Sequence, residues 1–370
     1  MSGQDVRATP FHARTAVLNR GNNWLNRNGW TLAAGYGDAN AEALAARMSA
    51  VMADITWRWR TQIEGARAAE FLSQLVTKDA SRLSPGQSLK VLWLTDGGGV
   101  RGAGAIARFG QNDFLLAASA PDFDWVAHAA ARFGVNVRDV SENECGLALI
   151  GPYAGEILKA AGLDAGLEPL AFRKLFWRGL DVTLSRWGEH GGFEIWCKAD
   201  DAFLVWDRIV RAGEAFGLLP AGIEAMDILD LEKGIARPGR DYKPARDGFA
   251  AQPTPHSLAL ESLIDDEHKT FNGRAAYLAG REKETKHLIG IESDSETPTT
   301  LGMLRYGEQN AGRILACGYS TALRRAIALA QVEAKFAKPG TVFLLVLPQG
   351  NAVARAVELP FLETPVLIAP

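Results

Sequence analysis

The sequence predicts an α+β protein that ends in a small all-β module. Three observations carry this. Stretches with a helical apolar period alternate with short β-type runs through the first two thirds of the chain. A charged stretch with several Pro and Gly positions follows at 236–267, and beyond residue 286 only short strand-like runs separated by turns remain. The 370 residues allow two or three domains, enough to bury cores without disulfide or metal staples.

Taken in order, 43–52 (ALAARMSAVM) and 66–77 (ARAAEFLSQLVT) follow a helical period, the second stopping before the Ser84, Pro85, Gly86 turn. Next, 88–119 reads as two apolar strands around a glycine-rich loop, with a second turn at 110–113. A helix is expected over 122–133, a strand near 145–150, and a helix opened by Gly151 and Pro152. FEIWCKA (193–199) reads as a strand, 201–216 as an amphipathic helix, and 222–234 as a helix stopped by Gly234 and Pro238. Strands at 286–294, 312–316, 325–333 and 341–358 suggest a terminal barrel or jelly roll.

Composition excludes several classes. The formal charge is −3, and no Lys/Arg run exceeds two residues, so nucleic acid is not an expected partner. The amino terminus lacks the apolar core of a signal peptide and no window approaches 18 apolar residues, so no membrane association and a cytoplasmic location are expected. Cys145, Cys197 and Cys317 form no C-x-x-C pair, and the six histidines have no H-E-x-x-H spacing, so no metal is expected. There is no phosphate-loop motif and no G-x-S-x-G elbow. Ten tryptophans, several beside arginines, are the compositional oddity.

Three places could carry chemistry. Asp96 and Arg101 flank Gly97, Gly98, Gly99, Gly102 and Gly104, which reads either as a flexible hairpin or as a place where backbone approaches a flat ligand and one charge grips it. Residues 186–194 pack Arg186, Trp187, Glu189, His190 and Glu194 before a strand, either as a solvated turn or as part of a site. Glu232 has Ile228, Leu229 and Leu231 as helix neighbours, so its carboxylate needs a partner: an internal cation or a ligand with paired donors.

The collinear segments 54–87 (DITWRWRTQIEG and onward), 94–119 (LTDGGGVRGAG and onward), 188–196 (GEHGGFEIW), 217–239 (GLLPAGIEAMDILDLEKGIARPG) and 318–341 (GYSTALRRAIALA and onward) resemble the glycine-cleavage T-protein (aminomethyltransferase) family. The resemblance implies the three-domain aminomethyltransferase fold around a folate channel: 1–135, then 136–250 with the pterin glutamate, a linker at 251–285, and a barrel at 286–370. It implies tetrahydrofolate as cofactor, with Glu232 pairing to the 2-amino and N3 donors of the pterin, and with Glu189 and Tyr36 (GYGD) at the same channel.

The departures bear on function. Gly102 and Ala103 stand where the family's GG-x-x-DD pattern carries its acid, and Trp57 stands where DLSHM carries histidine. The tail and the missing acid are most similar to the aromatic O-demethylases. The implied activity is tetrahydrofolate-dependent removal of a methyl group from a methoxylated, lignin-derived aromatic compound. In that reading Arg101 neutralises the leaving oxygen, Tyr319 supplies a proton, Arg186 holds a carboxylate, and Trp57, Trp187 and Asp96 contact the ring. An alternative on the same fold is a folate-independent lyase that releases formaldehyde or carbon dioxide from an aromatic dimer, with His190 or Glu189 moving the proton. A non-catalytic folate-binding accessory protein is a third. The expected partner is the small aromatic molecule, with a second copy of the chain as a further option.

Overall fold

The computed structural model describes residues 6–188, 190–248, 252–281, 283–293, 299–300, 302–348 and 350–362. A six-stranded sheet has the order Phe172–Trp177, Leu180–Ser185, Phe193–Lys198, Glu144–Ile150, Ala50–Asp54, Leu218–Pro220. Both faces of this sheet are covered. Leu147, Leu149, Ile195 and Cys197 point toward helices Ala154–Ala161 and Ala202–Gly213. Ala148, Ile150, Val51, Ala53 and Trp196 point the other way, toward helices Ala39–Met48 and Ile223–Glu232. The period of two sorts the side chains, and burial on both sides explains why 145–150 is apolar throughout.

A five-stranded sheet has the order Ser88–Leu94, Val100–Gly110, Asp113–Ala118, Trp59–Glu64, Asn136–Asp139 and carries helices Ala68–Leu75 and Phe123–Ala130 on its core. It is spelled out between two strands of the six-stranded sheet. A boundary at 135/136 therefore does not follow the sheets: Ala50–Asp54 belongs with the second unit and Asn136–Asp139 with the first. A small three-stranded sheet joins Arg7–Ala8, Trp30–Ala33 and Trp24–Arg27.

The tail closes into a six-stranded barrel in the order Lys286–Ser293, Arg325–Glu333, Gln309–Ser320, Met303–Tyr306, Val342–Leu347, Gly350–Val357. Barrels leave no bare edge, which suits a short terminal module. The stretch read as a linker is more than a tether. Leu258, Phe271 and Tyr277 are buried between the barrel residues Leu315 and Leu329 and the five-stranded-sheet residues Leu92 and Val100, and 274–281 is helical. The hairpin Phe172–Trp177/Leu180–Ser185 was not anticipated. Its two-residue turn has positive φ at both Arg178 (50°) and Gly179 (88°), a conformation usually announced by Asn-Gly rather than Arg-Gly.

Candidate active site

The alternation that sends Ile195 into one core sends Glu194 and Trp196 to the opposite face of strand Phe193–Lys198. Glu194 is only 2% exposed. Its Oε2 accepts from the indole nitrogens of Trp187 at 2.5 Å and Trp196 at 3.1 Å, and its Oε1 pairs with the Arg58 guanidinium. Arg60, two residues on, stacks over Trp196 at 4.1 Å and pairs with Glu144. Three donors thus satisfy the hydrogen-bonding capacity that burial takes from water.

Beside it, His190 is buried and its Nε2 lies 3.0 Å from Oδ1 of Asp230 on helix Ile223–Glu232. Burial works to raise the Asp230 carboxyl, but the His190 hydrogen bond and charge, with Arg237 and Arg58 nearby, hold it below the ordinary carboxylate value. One turn earlier on that helix, Asp227 receives Arg27, Arg237 and Arg240. Arg27 also lies over the ring of Trp57, 4.9 Å from its centroid. The indole nitrogen of Trp57 is buried without a hydrogen-bond acceptor among the described residues.

Glu232 ends the same helix and is 2% exposed. Arg47, on helix Ala39–Met48, engages Oε2 through Nε at 2.9 Å and through a second guanidinium nitrogen, and Ser320 of the barrel donates to Oε1 at 2.5 Å. The sequence left open whether this carboxylate meets an internal cation or a ligand. The internal cation is the partner found.

Tyr36 is half-buried, and its amide donates to Oε1 of Glu42 at 2.7 Å while Oε2 of Glu42 accepts from the Gly222 amide at 2.8 Å. Glu42 thereby fixes the Gly35–Gly37 loop to the start of helix Ile223–Glu232. Burial pushes the Tyr36 phenol up, and the nearby charges of Asp54 and Glu42 push the same way. Asp54, unremarked in the sequence, is buried at the end of its strand; it accepts from Thr9 Oγ1 at 2.6 Å and the Thr56 amide at 3.0 Å. Burial nevertheless leaves its carboxyl above the usual range, against the opposing pull of those hydrogen bonds.

The glycine-rich loop is packed rather than loose. Gly98 has φ +78°, and a Cβ there would lie 2.7 Å from the Tyr277 amide nitrogen. Gly102 lies under the Trp93 ring, where a Cβ would come within 2.1 Å of Cζ2. The indole therefore fills the space into which an acid at this position would project. Arg101 is not at a loop tip. It sits in strand Val100–Gly110, makes a bidentate pair with Asp122 (2.7 and 2.9 Å) and stacks on Trp125. Asp122 also accepts from Trp93 Nε1 at 3.0 Å, so the cation is already neutralised. Asp96 is exposed and lines a separate cleft of about 340 Å³ with Arg132 and Arg274.

The remaining sequence candidates are dispersed. Trp187 packs in a small core with Ala107, Leu115 and Phe172 instead of lining open space, and only its N–H reaches the site. Arg186 donates to the Leu167 carbonyl at 2.8 Å and lies over Phe193. Tyr319 is 43% exposed on its barrel strand; the pleat turns its neighbour Ser320 inward in its place. Glu189 lies outside the described residues. Helix Ile223–Glu232 thus gathers His190 at Asp230 and, through Arg27, Trp57 at Asp227, while Glu232 meets Arg47 and Ser320.

Comparison with known proteins follows this geometry. Residues 13–252 match the GCVT N-terminal domain, and residues 286–363 match the glycine cleavage T-protein C-terminal barrel domain. The chain belongs to the glycine cleavage T-protein family. Curated relatives include the aminomethyltransferase of Bacillus pumilus, 28% identical over 96% of this chain and 98% of the relative, and that of Thermotoga neapolitana, also 28% identical over 96% and 98%. The crystal structure of the glycine cleavage system aminomethyltransferase T from Bartonella henselae superposes with a TM-score of 0.87 at 23% identity, covering 97% of this chain and 98% of that one. The fold is therefore the three-domain aminomethyltransferase fold with its terminal barrel, as the sequence implied.

The family uses tetrahydrofolate, and the contact transferred from it does not fit here. Both oxygens of Glu232 are taken by Arg47 and Ser320, and burial leaves no approach for paired N–H donors. Among the described residues no group of three or more His, Cys, Asp or Glu could hold a metal ion, and no helix is long and apolar enough to cross a membrane.

Proposed function

We propose that this chain is a one-carbon enzyme acting on a flat aromatic substrate, and that it releases formaldehyde without passing the carbon to tetrahydrofolate. Two reactions were open from the sequence, beside a non-catalytic accessory role: transfer of a methoxy methyl group to folate, or loss of formaldehyde or carbon dioxide from an aromatic dimer, of which we take formaldehyde loss from a hydroxymethyl group. The closed carboxylate of Glu232 favours the second, because the residue expected to read the pterin is committed inside the protein.

The His190–Asp230 pair supplies what such a lyase needs. With Nε2–H donated to Asp230, the other ring nitrogen carries a lone pair and is the base. It takes the hydroxymethyl O–H proton. The C–C bond breaks as the C=O bond of formaldehyde forms, and the electron pair moves to the ring-conjugated carbon. The imidazolium returns the same proton to that carbon, so atoms and charge balance with no external oxidant or acceptor. Asp230 fixes the tautomer and offsets the imidazolium charge formed midway. Trp57, with a buried, unpartnered N–H and a cation over its face, supports the flat ring.

The test is incubation of the protein with a hydroxymethyl-bearing aryl dimer and with 4-hydroxy-3-methoxybenzoate, each with and without tetrahydrofolate. The reading expects formaldehyde from the dimer at equal rates in both conditions, and its loss in His190→Gln. Appearance of 5-methyltetrahydrofolate from the methoxybenzoate, with no formaldehyde in its absence, would instead establish the demethylase.

A further inference from the structure

Two of the three cysteines meet in the six-stranded sheet, and the proposed reaction uses neither. Cys145 and Cys197 stand directly opposite each other on the antiparallel strands Glu144–Ile150 and Phe193–Lys198. Both are buried in the core that helices Ala154–Ala161 and Ala202–Gly213 cover. Their Sγ atoms lie 3.5 Å apart and share a thiol hydrogen bond. Opposed residues of an antiparallel pair have Cα atoms about 4.5–5.5 Å apart, inside the span of about 4.4–6.8 Å that a disulfide bridges. The strands are therefore already placed for a bond. Only the sulfurs must close, by roughly 1.5 Å, through side-chain rotation.

Access follows from the position in the ladder. The next pair outward, Glu144 and Lys198, is the last rung, and Lys198 is exposed. Ladder ends open at low cost, so a small oxidant reaches the thiols without unfolding of the sheet. In the closed state they are quiet. The hydrogen bond with Cys197, and then burial, push the Cys145 thiol up and keep it protonated. We propose that Cys145 and Cys197 are a redox modification site, which a hydroperoxide converts to a cross-strand disulfide that clamps the sheet. One sulfur, once ionised, attacks the peroxide; the O–O bond breaks, the sulfur becomes a sulfenic acid, and the leaving oxygen takes the displaced proton. The second thiol attacks that sulfur, the S–S bond forms, the S–O bond breaks, and the hydroxyl leaves as water with the thiol proton. Two thiols are oxidised by two electrons and one peroxide is reduced by two. The bond joins residues 52 positions apart, closing a loop that contains His190, and stabilises by constraining the unfolded chain. The inference is independent of the reaction carried out at His190.

The experiment treats the whole protein with hydrogen peroxide, removes the excess with catalase, unfolds the chain in urea with an alkylating thiol reagent, and maps its peptides by mass. Untreated wild type is expected to show all three cysteines alkylated. After treatment, a peptide pair joined through Cys145 and Cys197 appears, which dithiothreitol separates, and it forms faster in urea just below unfolding than in buffer. Cys317→Ser leaves the linkage unchanged and Cys197→Ser abolishes it. The oxidised wild type unfolds at a urea midpoint higher by roughly 0.5–1 M, and reduction reverses the shift. Cys145 and Cys197 still alkylated after peroxide has oxidised the half-buried Cys317 would overturn the proposal. A bridge running through Cys317, or an unmoved urea midpoint, would do the same. The wild-type peptide map decides the matter even where a variant fails to fold.

Discussion

Ser320 donates its hydroxyl to Glu232 across 2.5 Å, fastening the barrel to the end of helix Ile223–Glu232 at a carboxylate that Arg47 holds from the other side. Removing the hydroxyl leaves a buried oxygen short of a donor, so Ser320→Ala is expected to lower stability by about 1–3 kcal/mol in urea unfolding.

Glu232→Gln separates structure from ligand reading. The variant leaves Arg47 buried beside a neutral amide, at an expected loss of about 3–5 kcal/mol. Tetrahydrofolate titration of the folded variant should match wild type; a marked fall in affinity would mean that the carboxylate does meet the pterin.

Gly102→Asp restores an acid where the family has one, and places a Cβ inside the Trp93 ring. Overpacking of this kind costs about 1–3 kcal/mol or more. Since the clash is with one side chain, the double variant Trp93→Ala, Gly102→Asp should lose less than the sum of the two single losses, which thermal melts of all four proteins would measure.

Two carboxyls, the half-buried Asp230 and the buried Asp54, act on acid stability with opposite signs. Asp230 is held below its ordinary value of 3.8, so its stabilisation is complete above that pH and is lost as pH falls through the lower folded value. Asp54 is raised above 3.8: the unfolded chain ionises first, and stability is lost as pH rises from there toward the folded value. Asp54→Asn should flatten the second loss and Asp230→Asn the first, read from urea midpoints at successive pH values.

Much of this was legible in the sequence, for a reason visible in particular residues. The strand at 145–150 shows as a short unbroken apolar run because both its faces are buried, the helix containing Glu232 shows through its apolar run stopped by Gly234, and most of the terminal strands show as short β-type runs, though Met303–Tyr306 was not among those expected. The run Trp57, Arg58, Trp59, Arg60 shows where such reading stops. Its members go to four environments: Trp57 beneath Arg27, Arg58 onto Glu194, Trp59 into the core of the five-stranded sheet, and Arg60 over Trp196. Nothing local tells a guanidinium that its carboxylate is 136 residues away. Asp230 was missed similarly, since its meaning comes from His190, forty positions earlier and brought close only by the sheet. Arg101 misled because a cation after glycines reads as free, whereas Asp122 lies waiting at the head of the next helix.

The interleaving of the two sheets has a consequence for how the chain comes off the ribosome. Strand Ala50–Asp54 lies between Glu144–Ile150 and Leu218–Pro220, and the five-stranded sheet is made in the interval. At roughly 5–20 residues per second, its second neighbour arrives on the order of ten to thirty seconds after it does. The contiguous stretch 59–139 can complete its sheet first, while an apolar strand with both edges bare waits beside it. For that interval the nascent protein depends on whatever shields such an edge, and the step most exposed to aggregation falls before either the helix of Glu232 or the barrel has been synthesised.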